Sequence, residues 1–144
     1  MIFNMELPIK VQGVMYSRSN EKLEYLIIKR SADDGGFWQG VTGTLEEGET
    51  LVNCLIREIN EEIGIENIKN ISGIKQIIQW AKKNGFMITE YVFAVELDKN
   101  SKIILSEEHD DYKWCSFEDA YKTLEKENNK NTLKILNEEL TDGY

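Results

Sequence analysis

The segment from residue 51 to residue 63 restricts the fold of this chain more than any other feature. Apolar residues recur there at every fourth position, at Leu51, Leu55, Ile59 and Ile63, which is the spacing of one face of an α-helix. Thr50 precedes the segment and Gly64 follows it, and these are residue types typical of an N-cap and a C-cap. The sequence therefore predicts a capped amphipathic helix over 51–63.

Segments rich in β-branched and aromatic residues lie on both sides of this helix, and they predict strands. The predicted strands are 10–16, 24–29, 37–42, 71–80, 86–97 and 112–115. Asn84-Gly85 is typical of a hairpin turn. Two further helices are expected, one over 117–126 and one through Leu133, Leu136 and Leu140, with an interruption at 128–131. Strands with helices before and after them indicate an α/β fold with a sheet covered on both faces.

Three carboxylates share one edge of the predicted helix. On a helical wheel Glu58, Glu61 and Glu62 form a stripe beside the apolar face. Like charges at these spacings each cost about 0.2 to 0.5 kcal/mol in an isolated helix. Taken alone, however, an acidic stripe is usually a solvated surface.

Composition excludes several classes of function. The 144 residues fit one compact domain over 1–144. Seventeen Lys and Arg against 26 Asp and Glu give a net charge of -9, so no basic field is available for duplex nucleic acid or for an anionic membrane. No apolar run reaches the roughly 18 residues of a membrane helix, and the first residues lack the basic region of a secretory signal. We therefore expect a cytoplasmic protein.

Zinc and triad chemistry are not expected. Cys54 and Cys115 share no short ligand spacing, and His109 is the only histidine. No G-x-S-x-G motif is present to accompany it. Both cysteines are expected to be buried packing residues, so the carboxylates carry the chemistry.

The residues around the helix form a longer pattern. The stretch 43–65, GTLEEGETLVNCLIREINEEIGI, resembles the Nudix box, Gly-x5-Glu-x7-Arg-Glu-U-x-Glu-Glu-x-Gly-U with U aliphatic, and it meets every specified position. A long pattern on a loop followed by a capped helix is far more specific than a single glycine motif. The resemblance to the Nudix hydrolases therefore outweighs the solvated-surface interpretation.

The resemblance implies a fold, a reaction and roles for residues. The fold is an α/β/α sandwich with a mixed sheet and a catalytic loop-helix. The reaction is hydrolysis of a nucleoside diphosphate linked to another moiety. Glu61 is the first candidate for the general base and Glu58 the alternative, while Arg57 and Glu49 would form a supporting pair. The implied metal ligands are the Gly43 carbonyl and the carboxylates of Glu58, Glu61 and Glu62.

Charge balance independently favours a metal. A polyphosphate substrate and this chain are both anionic, so a cation is needed between them. Hard oxygen ligands suit Mg²⁺, with Mn²⁺ as a substitute.

Two stretches outside the box resemble one branch of the family. They are FWQGVTG at 37–43 and EHDDYKW at 108–114, and they are similar to the dATP or dihydroneopterin triphosphate pyrophosphohydrolases. The similarity implies a small-molecule nucleotide or pterin triphosphate cleaved to monophosphate and pyrophosphate. It also implies Glu108 as a further metal ligand, and Thr42, Trp38, Lys29 and Arg30 as substrate contacts.

Several points remain open from the sequence. Tryptophans such as Trp38 and Trp114 are more often packing residues than base-stacking platforms, and a surface position is an equally good interpretation of His109. Glu6-Leu7 replaces a basic residue expected before Pro8, and Asn128 and Asn131 stand where this branch places polar pocket residues. Rival functions are diadenosine tetraphosphate hydrolysis, removal of oxidised nucleotides and a non-catalytic nucleotide sensor. Nudix relatives occur as monomers and as homodimers, so the resemblance leaves both states open for this chain.

Overall fold

The computed structural model describes residues 8–142, so Glu6 and Leu7 lie outside the described part of the chain. The strands are β1 (Ile9–Ser19), β2 (Lys22–Arg30), β3 (Trp38–Gln39), β4 (Val41–Thr44), β5 (Asn70–Ala81), β6 (Met87–Glu96) and β7 (His109–Cys115); the helices are α1 (Leu51–Ile63), α2 (Phe117–Thr123) and α3 (Glu127–Asp142). Among these helices, none is long and apolar enough to cross a membrane.

The described strands form one mixed sheet. Its main order is β3-β2-β1-β6-β5, with β4 paired to β1 and β7 paired to β2. The β1–β6 pair is parallel and the other pairs are antiparallel. Strand β1 is therefore central. Strand β6 pairs with one of its edges, and β4 and β2 pair with successive parts of the other edge.

Two hairpins fix the register of the long strands. Between β1 and β2, Asn20 and Glu21 form the two-residue turn with φ of 53° and 64°, and positive φ at both central positions matches the right-handed twist of the strands. The β5–β6 turn contains Asn84 and Gly85, as the sequence predicted.

A hydrophobic layer covers each face of the sheet. Helix α1 packs on one face through Leu55, Ile59 and Ile63, all fully buried, against β1 and β2 residues such as Val11 and Ile28. Helices α2 and α3 cover the other face; the buried residues there include Tyr16, Tyr25, Ile27, Ala94, Ala120, Leu133 and Leu136. The predicted α/β/α sandwich with a mixed sheet is confirmed.

Several predicted boundaries were wrong, and three of them have a clear physical reason. The strand predicted over 37–42 is divided at Gly40, where an added Cβ would lie 2.3 Å from the Gly13 carbonyl oxygen. Helix α2 ends at Thr123 because Leu124 is extended. The predicted interruption at 128–131 is instead the start of α3. The low helix propensity of asparagine is a weak effect, and burial of Leu133 and Leu136 on the same helix outweighs it.

Candidate active site

Helix α1 has the bounds that the sequence predicted. The Thr50 side chain accepts a hydrogen bond from the Asn53 amide at 3.1 Å. Gly64 has a φ of 72°, and its amide donates to the Asn60 carbonyl at 2.9 Å. Both ends of the helix are satisfied locally, and its buried apolar face determines which way the acidic edge points.

The three carboxylates of the acidic edge differ greatly in exposure. The Glu62 side chain is 5% exposed, that of Glu58 is 15% exposed and that of Glu61 is 57% exposed. The acidic edge therefore runs from the core into solvent. A solvated acidic stripe would instead have all three carboxylates exposed.

Gly43 allows β4 to approach this edge. A Cβ built on Gly43 would lie 2.1 Å from Cγ of Glu58 and 2.2 Å from its Cδ. No side chain fits there without displacing the carboxylate. Close contact with Glu58 therefore explains why this position of the motif requires glycine.

Arg57 joins the loop before α1 to the helix. Its Nε lies 2.7 Å from Glu49 Oε2 and its Nη2 2.9 Å from Glu49 Oε1. The Glu46 amide also donates to Glu49 at 2.9 Å. The Arg57 hydrogen bonds, followed by the Glu46 amide, lower the pKa of Glu49 to about 2. Arg57 and Glu49 thus form the pair that the resemblance implied.

Arg57 also contacts two carboxylates of the acidic edge. Its Nη1 donates to Glu58 at 2.7 Å and to Glu61 at 3.3 Å. One guanidinium therefore orients Glu58 and Glu61 together, and charge-assisted bonds of this kind are stronger than neutral ones.

Burial, together with crowding of like charges, raises the pKa of the buried carboxyls. Burial raises the pKa of Glu62 to about 9, and its hydrogen bond with Glu58, repulsion from Glu58 and repulsion from Glu108 add to the shift. Burial also raises the pKa of Glu58. Carboxylates this close do not all ionise without a compensating cation.

His109 lies against Glu62 and is not a surface residue. Its side chain is fully buried, with Nε2 3.3 Å from Glu62 Oε1. Within the described residues, neither His109 Nε2 nor Glu62 Oε2 makes a hydrogen bond. Ser106 Oγ lies 3.4 Å from His109 Nδ1, and the Ser106 amide donates to the Glu62 carbonyl at 3.0 Å. The loop before β7 is therefore attached to the C-terminal end of α1.

The oxygen-rich edge fits a hard divalent cation. Glu62 Oε2 is a buried acceptor without a donor, and carboxylate oxygens are the ligands that Mg²⁺ prefers. In residues 8–142 no three His, Cys, Asp or Glu side chains are already gathered closely enough to hold an ion.

An open cleft of about 1050 Å³ lies over this edge. It brings together seven of the predicted site residues, namely Arg30, Thr42, Gly43, Glu58, Glu61, Glu62 and Glu108. Sequence reasoning missed Lys10 and Ser106, which also line it. Lys10 stands at the start of a strand and belongs to no sequence motif, so nothing in the sequence identified it as a cleft residue.

Two predicted substrate contacts do not line the cleft. Lys29 is opposite Trp38 in the β2–β3 register, and Trp38 packs against the hydrophobic layer under α2 and α3. Lys113 Nζ lies 5.4 Å from the centre of a Trp38 ring. Asn128 and Asn131 are exposed, whereas Asn129 lines a separate small cavity with Gln12 and Tyr25.

Comparison with known proteins identifies the family. A family model described as NUDIX domain matches residues 9–136. The chain belongs to the Nudix family. Its predicted enzyme class is thereby confirmed, and this Nudix chain is a hydrolase acting on phosphorus anhydrides.

Curated relatives of this Nudix chain include two proteins of similar length. A dihydroneopterin triphosphate diphosphatase of Haemophilus influenzae is 29% identical over 133 residues, which are 84% of this chain and 82% of that protein. A bis(5'-nucleosyl)-tetraphosphatase of Mus musculus is 29% identical over 117 residues, 80% of this chain and 79% of the relative.

Two further similarities are partial or concern the fold alone. A Myxococcus xanthus octanoyltransferase is 28% identical over 117 residues, and the matched part is 31% of that protein's length. The solved Escherichia coli dihydroneopterin triphosphate pyrophosphohydrolase has a TM-score of 0.77 at 24% identity, covering 96% of this chain and 98% of the other. At that identity the agreement shows the fold.

Proposed function

We propose that this Nudix hydrolase cleaves a nucleoside or pterin triphosphate, such as dATP or dihydroneopterin triphosphate, to a monophosphate and pyrophosphate. The observation that carries the proposal is the cleft in which Glu58, Glu61 and Glu62 share one wall with Gly43, while Arg30 and Lys10 supply positive charge. The H. influenzae diphosphatase supports the same substrate class.

The cofactor in this proposal is Mg²⁺, with Mn²⁺ as a substitute. The Gly43 carbonyl and the carboxylates of Glu58, Glu61, Glu62 and Glu108 would hold it. The ion would neutralise phosphate charge and acidify the attacking water. Arg57 holds Glu58 and Glu61 on the cleft side of α1 through contacts of 2.7 Å and 3.3 Å.

Glu61 takes the proton from the attacking water in this mechanism. Its side chain is the most exposed of the three carboxylates on the α1 edge and lines the cleft. The water oxygen forms a bond to phosphorus, the bridging P–O bond breaks, and pyrophosphate leaves with the bond's electron pair. Glu58 is the alternative base, but its contact with Arg57, at 2.7 Å, is shorter than the 3.3 Å contact that Glu61 makes with the same guanidinium.

Arg30 and Lys10 bind the charge of the phosphates. Arg30 lines the cleft together with Glu62, and its guanidinium also forms an ion pair with Asp34. Thr42 lines the same cleft. The contacts predicted for Lys29 and Trp38 have no support from the cleft geometry.

Diadenosine tetraphosphate hydrolysis is the second candidate. The mouse tetraphosphatase is similar to this chain over most of its length. However, Val41-Thr42 precedes Gly43, where that branch usually has Pro-Lys. Cleavage of oxidised nucleotides would use the same carboxylates. A non-catalytic sensor is disfavoured because all box carboxylates are present.

A substrate panel tests the proposal. It contains dATP, the other nucleoside triphosphates, dihydroneopterin triphosphate and diadenosine tetraphosphate, each with and without Mg²⁺, and products are identified by phosphorus NMR. Metal-dependent release of pyrophosphate from a triphosphate is the expected result. Cleavage of diadenosine tetraphosphate to ATP and AMP instead would assign the rival function. Binding without turnover would favour a sensor.

Three predictions from the sequence stay predictions. They are the single domain over 1–144, the cytoplasmic location, and the choice between a monomer and a homodimer. Both relatives of similar length carry names of enzymes that act on small nucleotide or pterin phosphates, and we propose a partner of the same class for this chain.

A further inference from the structure

A buried histidine lies against the innermost carboxylate of the acidic edge, and the proposed hydrolysis gives it no role. The His109 side chain is fully buried, and its Nε2 lies 3.3 Å from Oε1 of Glu62, whose side chain is 5% exposed. Within the described residues, His109 Nε2 and Glu62 Oε2 are both buried without a hydrogen-bond partner. Buried polar atoms are nearly always paired in folded proteins, so two unpaired atoms on adjacent side chains need an explanation.

Ser106 determines which nitrogen of the His109 ring can accept a hydrogen bond. The Ser106 hydroxyl oxygen accepts from the Glu108 amide at 3.3 Å and lies 3.4 Å from His109 Nδ1. An oxygen that accepts from an amide still carries its own hydrogen, so Ser106 can donate to Nδ1. Nδ1 is then the acceptor nitrogen of the neutral ring, and Nε2 carries the hydrogen that faces Glu62.

Backbone contacts fix the loop that carries Ser106 and His109. At one end the Ser106 amide donates to the Glu62 carbonyl at 3.0 Å, which attaches the loop to α1. At the other end the Glu108 carbonyl accepts from the Ser31 amide at 2.8 Å, directly after β2. The His109 ring therefore has a fixed place beside Glu62, as a group that orients a neighbouring side chain requires.

We propose that His109 is a positioning residue for the metal site, where its Nε2–H, directed by Ser106, donates to Oε1 of the Glu62 carboxylate and leaves Oε2 for a divalent cation. A metal ligand must be deprotonated, and a deprotonated Glu62 is a strong acceptor for the imidazole. Both unpaired atoms then have a partner. The inference rests on the proposed function, because only that proposal makes Glu62 a metal ligand.

Two amide substitutions of His109 separate orientation from packing. The amide nitrogen of glutamine can reach the position of Nε2, whereas that of asparagine stops near Nδ1. Binding of Mn²⁺ in the absence of substrate is measured by electron paramagnetic resonance of the free ion. Loss of an outer hydrogen bond to a ligand typically weakens metal binding about 10- to 100-fold, so we expect that loss in His109→Asn and near wild-type affinity in His109→Gln. Equal affinity of all three proteins, or equal weakening in both variants, would overturn the inference.

Substitution of Ser106 by alanine tests the second part of the arrangement and leaves His109 in place. Loss of the hydroxyl should weaken Mn²⁺ binding about 3- to 10-fold. Ser101→Ala is the matched control, since Ser101 is in the same connection between β6 and β7 but does not line the cleft. Unchanged affinity in Ser106→Ala would contradict the role of the hydroxyl.

Nitrogen NMR of the histidine-labelled wild type provides a test that needs no variant. His109 is the only histidine of the chain, so its signals need no assignment. Hydrogen on Nε2 is the expected result, and hydrogen on Nδ1 would overturn the inference even if His109→Asn did not fold.

Turnover distinguishes failure of this inference from failure of the proposed function. High Mg²⁺ should restore kcat of His109→Asn with a triphosphate, because only the affinity for the metal is lowered. A kcat that stays low at saturating Mg²⁺, with normal Mn²⁺ binding, would contradict the positioning role. If the variants follow the expected order of Mn²⁺ affinity but the wild type hydrolyses no triphosphate, the proposed function fails and the role of His109 stands. A wild type that binds no Mn²⁺ would overturn both.

Discussion

The Arg57 guanidinium meets the Glu49 carboxylate through two contacts, Nε to Oε2 at 2.7 Å and Nη2 to Oε1 at 2.9 Å. This two-point geometry matches the planar fork of arginine. It attaches the loop before α1 to the middle of the helix. The same guanidinium contacts Glu58 and Glu61, so the position of the loop and the geometry of the acidic edge depend on one side chain.

Replacement of Glu49 by glutamine should remove a pH-dependent part of stability. The folded-state pKa of Glu49 is about 2, below its ordinary value of 4.5. A lowered folded-state pKa adds stability above pH 4.5 that is lost as the pH falls toward 2. Urea unfolding should therefore show a gap between wild type and Glu49→Gln at pH 7 that closes between pH 4.5 and 2. Glu47→Gln, a change in the same exposed loop, is the control, and a gap independent of pH would contradict the assignment.

Replacement of Gly43 by alanine should displace Glu58. The added methyl would lie 2.1 Å from Glu58 Cγ, so the carboxylate or β4 must move. We expect overpacking to cost about 1 to 3 kcal/mol of unfolding free energy and kcat/KM to fall about 100-fold, because small misplacements of catalytic groups have effects of that size.

Gly73→Ala is the matched control for that change. Gly73 lies on β5, and no atom is within 4 Å of a Cβ built there. Thermal unfolding and kcat/KM should both stay near wild type. Equal effects of the two substitutions on activity would show that close packing of Gly43 against Glu58 is unimportant.

Adjacent basic residues on β2 should behave differently. Arg30 lines the cleft, whereas Lys29 pairs with Trp38 on the other face of the sheet. Loss of a charge-assisted contact with phosphate should lower kcat/KM about 10- to 100-fold in Arg30→Gln, with little change in Lys29→Gln. Steady-state kinetics on the two variants tests this difference, and a larger defect in the Lys29 variant would contradict the placement of the phosphates.

Local signals explain why helix α1 and the sandwich were predictable. Thr50 and Gly64 end the helix through contacts within one turn, and the apolar period of 51–63 is a property of adjacent sequence. Gly43, Glu58 and Glu62 belong to one continuous motif. The resemblance of that motif to the Nudix box is what predicted that they would lie together.

Long-range packing explains what the sequence did not reveal. The burial of His109 depends on contact with Glu62, 47 positions earlier in the chain. The separation of Lys29 from Arg30 depends on which side of the finished sheet each residue faces, at a point where the β2–β7 register shifts. Asparagine composition at 128–131 was outweighed by apolar packing farther along α3.

Magnesium-dependent turnover by wild type and Glu61→Gln tests the central claim most directly. The measurement is the rate of pyrophosphate release from the preferred triphosphate, followed by phosphorus NMR. Loss of a general base typically costs about 10² to 10⁴ in rate, and the exposed Glu61 side chain contributes little to packing. We therefore predict a folded Glu61→Gln protein whose kcat is lower by that factor, with Glu66→Gln as an exposed control carboxylate outside the cleft. Full activity of Glu61→Gln, or equal turnover without a divalent ion, would contradict the account.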